Sequence, residues 1–446
     1  MASAERISRR RFLELAGSAV VGLAVGAAAG YAAAPPKEKI VYKPPPPKAI
    51  PTEPLRFGIV TFLTGIPSIA GVAGLRAAEI WIEKVNAQGG ILGRKIEYYV
   101  EDETGTVESR VEKFKKLTID KKCDVIFGTE STSTGLAYGP LAEELQQLWL
   151  SWDGTTQKGL EETLPKPTYA FRSIYNEAEA VAGAIMVAKY FPEVRTVAGI
   201  NDDYSYGRNC WEAFMTVLKH YIPDVEPVID LWPKLGETDF TSHIAAIKAA
   251  KPDLVFSSFW HGGAATFLKQ AAAVGLFKET KGCLCTAGGV LPALKKEFVP
   301  EGIIIGCNSF YFKWTDTWPM LTEFVNEYIK RYGEYPVYEA DHAWFTLQAY
   351  KAAVEKAYAV KGEWPEKEEI AEALRGIIVP SLSGFRGYRE DNYMICDFFQ
   401  GITKHDPNYD FVLLDPVERI SYSQMCHPPD VTFHEWVKSW KAPGEE

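Results

Sequence analysis

At 446 residues the chain is long for one domain and suits two lobes with appendages. Its 47% apolar and 24% charged residues are ordinary globular values that provide for a sizeable core. A formal charge of −10 argues against a nucleic-acid partner, because neutralising phosphate takes a basic face.

The N-terminal stretch "ISRRRFLELAG" sets Ser8, Arg9, Arg10, Phe12 and Leu13 in the twin-arginine export pattern. A soft Ala/Gly/Val run from Leu15 to Ala34 follows and ends in small residues, as an export signal does. The same run is just long enough to span a bilayer, which takes about 20 residues. Residues 1–34 therefore read as a twin-arginine signal or a retained anchor. Residues 35–54, "PPKEKIVYKPPPPKAIPTEP", favour extended polyproline-type chain, a semi-rigid spacer.

From Leu55 strand and helix patterns alternate. "LRFGIVTFL" is an apolar run. In "GVAGLRAAEIWIEKVNAQGG" the residues Val72, Leu75, Ala78, Ile82 and Val85 recur at helical steps, and Gly89 and Gly90 stop the helix. "RKIEYYVED" reads as a strand, "TVESRVEKFKKLTIDK" as a helix, "CDVIFG" as a buried strand, "GLAYGPLAEELQQL" as a helix and "WLSWDG" as a strand. The alternation then restarts with "RTVAGIND" and "GRNCWEAFMTVLKHY", continues through "PDLVFSSFW", "GGAATFLKQAAAVGL" and "GCLCTAGG", and closes with "GIIIGCNSF". Strands joined through helices make parallel sheet covered on both faces, so the fold class is α/β with two Rossmann-like doubly wound lobes. The helical text of 318–333 and 338–359 belongs to neither series by order.

Such sheets bind ligands outside the carboxyl ends of their strands. The loops there are "TFLTGIPS" (61–68), "GTESTST" (128–134), "SWDGTT" (151–156), "NDDYSYG" (201–207) and "FWHGG" (259–263). The hydroxyl cluster in the second of these has two readings, contact with a ligand or capping of the helix that follows. Neither a phosphate loop nor a G-x-G-x-x-G fingerprint is present, and the cluster lacks G-x-S-x-G. The seven His contain no H-E-x-x-H, and His261 stands alone in its loop. The seven Cys contain no C-x-x-C, and Cys426, His427 and His434 match no metal-ligand spacing. No catalytic residue, cofactor or metal site is expected, which favours a binding protein over an enzyme.

"NAQGGILGRKIEYYVEDE" (86–103), "VIFGTESTST", "SWDGTT", "NDDYSYGRN" and "FLKQAAAVGL" stand in the order and spacing of a known family. Over about Leu55 to Gly401 the chain resembles the exported solute-binding proteins of branched-chain amino acid and amide ABC importers. The resemblance implies a type I periplasmic binding fold, with two lobes joined by a three-segment hinge near Arg172–Asn176, Ser309–Phe312 and Ser383–Tyr388. Lobe one then takes 55–174 with 312–385, lobe two 175–311 with 386–420, and 421–446 is an extension. It implies Ser131, Thr132, Ser133, Gly154 and Thr155 around a ligand carboxylate, and Tyr206 and Trp260 as closing aromatics. The family's acidic partner for the ligand ammonium falls at Ala287, a departure. Either Glu130, Asp153 or Asp202 replaces it, or the solute has no α-amino group.

The expected function is that of a monomeric, extracytoplasmic substrate-binding protein delivering a small polar solute to a membrane permease. An amino acid, branched-chain or related, is the first expectation, with amides, urea or small carboxylates next. A sensor ectodomain on the same fold is the alternative.

Overall fold

The structure is a computed structural model, and it describes residues 50–174, 176–314 and 318–442. The signal or anchor at 1–34 and all but the last residues of the spacer lie outside the described residues. β1 (Leu55–Thr61) is buried along nearly its whole length, as a strand covered on both faces must be. α1 (Ser68–Ala87) buries Ala78, Ile82 and Val85 as the periodicity predicts, leaves Val72 and Leu75 half-buried, and adds Ala73, Ala77, Ile80 and Trp81 to a broader face. β2 (Ile96–Asp102), α2 (Val107–Lys115), β3 (Val125–Gly128), α3 (Thr132–Glu144), β4 (Trp149–Ser151), α4 (Gln157–Thr163) and β5 (Ala170–Arg172) complete the first series. Its sheet is wholly parallel, in the order β2-β1-β3-β4-β5.

The chain then builds α5 (Asn176–Tyr190), β6 (Thr196–Ile200), α6 (Ser205–Tyr221), β7 (Glu226–Leu231), α7 (Thr241–Ala250), β8 (Leu254–Ser257), α8 (Gly262–Ala273), β9 (Lys281–Leu284) and β10 (Ile304–Gly306). After β10 come α9 (Pro319–Tyr332), α10 (Tyr338–Lys361) and α11 (Lys367–Leu374). α10 returns to the first sheet, where Tyr350 meets Phe57 and Phe127 edge-on at 5.4 and 5.8 Å. Trp81 also donates its indole N–H to Gln348 at 3.0 Å, which explains the broader buried face of α1.

β11 (Ile378–Ser381), β12 (Gly384–Tyr388) and β13 (Met394–Ile395) form a small antiparallel sheet. β14 (Phe398–Lys404) and β15 (Leu413–Ile420) then add antiparallel strands to the second sheet, whose order is β15-β14-β10-β9-β8-β6-β7. Backbone thus passes between the sheets after β5, after β10 and before β14. The passages touch: Ser173 and Tyr388 hydroxyls lie 2.5 Å apart, and Arg386 donates to the Ser309 carbonyl at 2.8 Å. Ser383–Tyr388 is mostly strand β12, because the turn at Gly384 (φ 115°) folds it back on β11, so the third passage reaches the second sheet only at Phe398.

The extension carries α12 (Tyr422–Met425) and α13 (Phe433–Lys438), each opened by a reciprocal capping box. It lies across both halves: the Phe433 N–H donates to Glu161 on α4 at 3.0 Å, and Trp440 packs 5.2 Å from Tyr221 on α6. All seven cysteines are buried thiols.

Candidate functional site

In both sheets the strand order reverses beside the first strand of its series, β1 or β6, and ligands bind outside the carboxyl ends at such a point. The loops at those ends meet around a buried cavity of about 20 Å³, space for one water-sized particle. Glu130, Thr132, Asp153 and Gly154 line it after β3 and β4. Tyr204, Tyr206, Trp260 and Thr286 line it after β6, β8 and β9, and Glu179 and Tyr338 reach it from the first turns of α5 and α10. A larger groove of about 430 Å³, bordered by Trp318, Phe385 and Arg419, lies beside the third passage, away from these strand ends.

Of the side chains singled out from sequence, Glu130, Thr132, Asp153, Gly154, Tyr206 and Trp260 come together at the cavity. Ser131, Ser133 and Thr155 do not line it. The hydroxyls of Ser131 and Ser133 face each other at 2.9 Å, and Arg110 donates to Ser133 and Thr134 at 3.2 and 2.8 Å. Ser131 precedes α3 yet makes no side-chain cap bond. Instead the buried Glu103 carboxylate accepts from the Glu130 and Ser131 N–H groups at 2.8 and 3.0 Å, so an internal anion occupies this helix start. Burial pushes the Glu103 carboxyl up to about 7.

Thr155 Oγ1 is buried without a hydrogen-bond partner and packs on α3 at Gly135, where a Cβ would fall 1.5 Å from it. Gly135→Ala is therefore expected to displace the 153–156 loop and cost about 1–3 kcal/mol, read from urea unfolding. Loop backbone here is unusual: Thr129, Gly154, Thr155 and His261 have φ of 76°, 60°, 75° and 49°. Non-glycine residues held in such conformations cluster at ligand clamps.

The electrostatics are lopsided. The lining holds the carboxylates of Glu130, Asp153 and Glu179 and no Lys or Arg. Glu179 accepts from Asn308 and, at 3.4 Å, from the Tyr206 hydroxyl, while Glu130 accepts from Thr61. Burial first, then Glu103, pushes the Glu130 carboxyl well above the usual range; burial and then Asp153 do the same to Glu179 and Glu339. His261, at the start of α8, places Nε2 3.7 Å from Glu339 Oε1 and 4.0 Å from Glu130 Oε2, too far for hydrogen bonds. Burial lowers its pKa to about 3, so the ring is neutral. Glu179, Tyr204, Thr286, Tyr338 and Glu339 were not found by sequence reasoning. Tyr204 lies in the 201–207 loop singled out from sequence, and the acidic first turns of α5 and α10 are a signal for Glu179 and Glu339.

Two doubly wound lobes that close over a buried polar cavity, joined by three backbone passages, define a two-lobed binding protein. The chain belongs to the periplasmic binding protein family, whose sequence model matches residues 54–401. Leu/Ile/Val-binding protein homolog 7 of Brucella suis is 24% identical over 346 residues, covering 75% of this chain and 84% of the relative. Homolog 4 of Brucella melitensis is 24% identical over 367 residues, covering 76% and 82%. Among solved structures, a solute-binding protein of an ABC transporter from Rhodopseudomonas palustris BisB5, in complex with 3,4-dihydroxybenzoic acid, aligns with TM-score 0.70 at 20% identity over 82% of this chain and 98% of that one. A leucine-binding protein from Thermotoga maritima MSB8 aligns with TM-score 0.68 at 19% identity over 82% and 99%. The chain is thus a solute-binding protein of type I fold, a family that works outside the cytoplasm, and its relatives are binding proteins rather than enzymes. Among the described residues no helix is long and apolar enough to cross a membrane.

Proposed function

We propose that this solute-binding protein serves an ABC importer and clamps between its lobes a small solute that carries a positive charge, an amino acid through its ammonium group being the simplest case. One observation carries the reading: three buried carboxylates, Glu130, Asp153 and Glu179, line one cavity that has no basic residue among its lining. Keeping them ionised together is costly unless a cation compensates; without one, burial holds Glu130 and Glu179 toward the neutral form. The branched-chain names of the relatives fit an ammonium-bearing solute. A benzoate of the kind seen in the Rhodopseudomonas protein would meet like charge here.

In this reading Glu130, Asp153 and Glu179 take the charge, Thr132 and the Gly154 backbone fix orientation, and Tyr206 and Trp260 cover the solute. Ser131, Ser133 and Thr155 brace the loops from behind. The lobes turn about the three passages, and the closed form signals the permease. The paired arginines Arg9 and Arg10 support export by the twin-arginine route.

Titration calorimetry of amino acids, amines, amides and benzoates against the full-length protein tests this. Ammonium-bearing solutes are expected to bind, and Glu179→Gln to weaken them by about 1–3 kcal/mol. Binding of a benzoate or urea with no response to any cation would overturn the proposal.

A further inference from the structure

Glu179 and Glu130 each have a hydroxyl or amide partner, but a buried cluster beside the cavity, which shares Asp153 with its lining, is built differently. There the ligating atoms of Asp153, His261 and Glu339 all lie within 4.8 Å of one another, and all three residues are buried. Both ring nitrogens of His261, which is 1% exposed, lack a hydrogen-bond partner, and the fully buried Glu339 lies within reach of Asp153. Among the described residues no other group of three His, Cys, Asp or Glu side chains meets this spacing.

From this juxtaposition we infer that Asp153, His261 and Glu339 bind a divalent transition-metal ion, which is itself carried or accompanies the solute. The inference rests on the reading of this cavity as the solute site and narrows the cation it takes.

Donors sharing an ion at about 2.1 Å sit roughly 3 to 4.2 Å apart. His261 Nε2 stands 3.7 Å from Glu339 Oε1, inside that range. The buried imidazole of His261 adds a nitrogen lone pair to the carboxylate oxygens, a mixed donor set that a transition metal takes. One nitrogen with carboxylate oxygens favours Zn²⁺, Mn²⁺, Fe²⁺, Co²⁺ or Ni²⁺ over Ca²⁺ and Mg²⁺, which prefer oxygen only.

The donors come from both halves. Asp153 follows β4 and Glu339 begins α10, which packs on the first sheet, whereas His261 opens α8 beside the second. An ion held by all three ties the lobes together, so binding and closure become one event.

The test uses the full-length protein stripped by a chelator, titrated calorimetrically with ZnCl₂, MnCl₂, CaCl₂, 1,4-diaminobutane and arginine, with Co²⁺ followed by its visible absorption. One Zn²⁺ or Co²⁺ per chain is expected at micromolar affinity or better, with Ca²⁺ weaker. His261→Ala should weaken the metal about 100-fold or more. His405→Ala, at an exposed site, should leave it unchanged. If His261→Ala fails to fold by circular dichroism, Glu339→Gln and the nitrogen-sensitive Co²⁺ spectrum of the wild type decide instead. Metal binding that survives both His261→Ala and Glu339→Gln would overturn the site. Amines binding where metals do not would overturn the metal while leaving the cationic-solute reading standing. Neutral or anionic solutes alone binding would overturn both.

Discussion

Replacing Arg386 by Met is expected to cost about 3–5 kcal/mol of stability, the usual result of stranding one member of a buried ion pair. Arg386 is 2% exposed and pairs with the fully buried Asp341, while also donating to the Ser309 carbonyl at 2.8 Å. Asp341 further accepts from the Ser381 hydroxyl at 2.5 Å and the Leu382 N–H at 2.9 Å. Burial pushes the Asp341 carboxyl up, and the Arg386 guanidinium opposes that shift most strongly. Without the guanidinium the carboxyl must either stay charged in an apolar setting or take a proton. Because α10, the second passage and β12 meet here, the loss should appear in urea unfolding as a lower midpoint with an unchanged slope. Asp341→Asn combined with Arg386→Met removes both charges and should recover most of the loss. A single-variant cost below about 1 kcal/mol would show that the pair does not hold the passages.

Much of this fold is legible because its central strands are covered on both faces. Val125–Gly128 and Leu254–Ser257 are entirely buried, and short unbroken apolar runs betray such strands. β7 escapes for the opposite reason. It lies at the sheet edge, carries Pro227 and is largely exposed, so no apolar run marks it. The destination of α10 is also hidden, since nothing local says that Tyr350 will meet Phe57 and Phe127. The third passage is misplaced by sequence because the reversal at Gly384 depends on pairing between β11 and β12.

Of the residues read from the loops at strand ends, Glu130, Thr132, Asp153, Gly154, Tyr206 and Trp260 line one cavity, since the switch-point geometry brings those loops together whatever they bind. Part of the hydroxyl cluster has internal partners. Glu103, directly after β2, takes the backbone amides that a solute carboxylate would use, and Ser133 turns to Arg110. A lone His261 and a Glu339 at a helix start carry no local signature; only the meeting of two lobes gives them a common neighbour.

Asp202 provides a separate and measurable consequence of burying acids near this cleft. It is 8% exposed, and burial alone pushes its carboxyl up to about 7, against an ordinary value near 4. Below about pH 4 the group is protonated in folded and unfolded chains alike and contributes nothing to pH dependence. Between about pH 4 and 7 the unfolded chain releases this proton while the folded one keeps it, so stability falls as pH rises. Above about pH 7 both forms are ionised and the loss levels off, at about 4 kcal/mol for a shift of roughly three units. Glu103, also pushed up to about 7, changes stability in the same direction. Asp202→Asn removes the first contribution and leaves the second. The variant should match the wild type near pH 4 and exceed it by several kcal/mol at pH 7.5, measured by urea unfolding at each pH. An equal difference at both values would mean that the Asp202 carboxyl keeps an ordinary pKa in the folded protein, and the stability gain would then belong to packing rather than to charge.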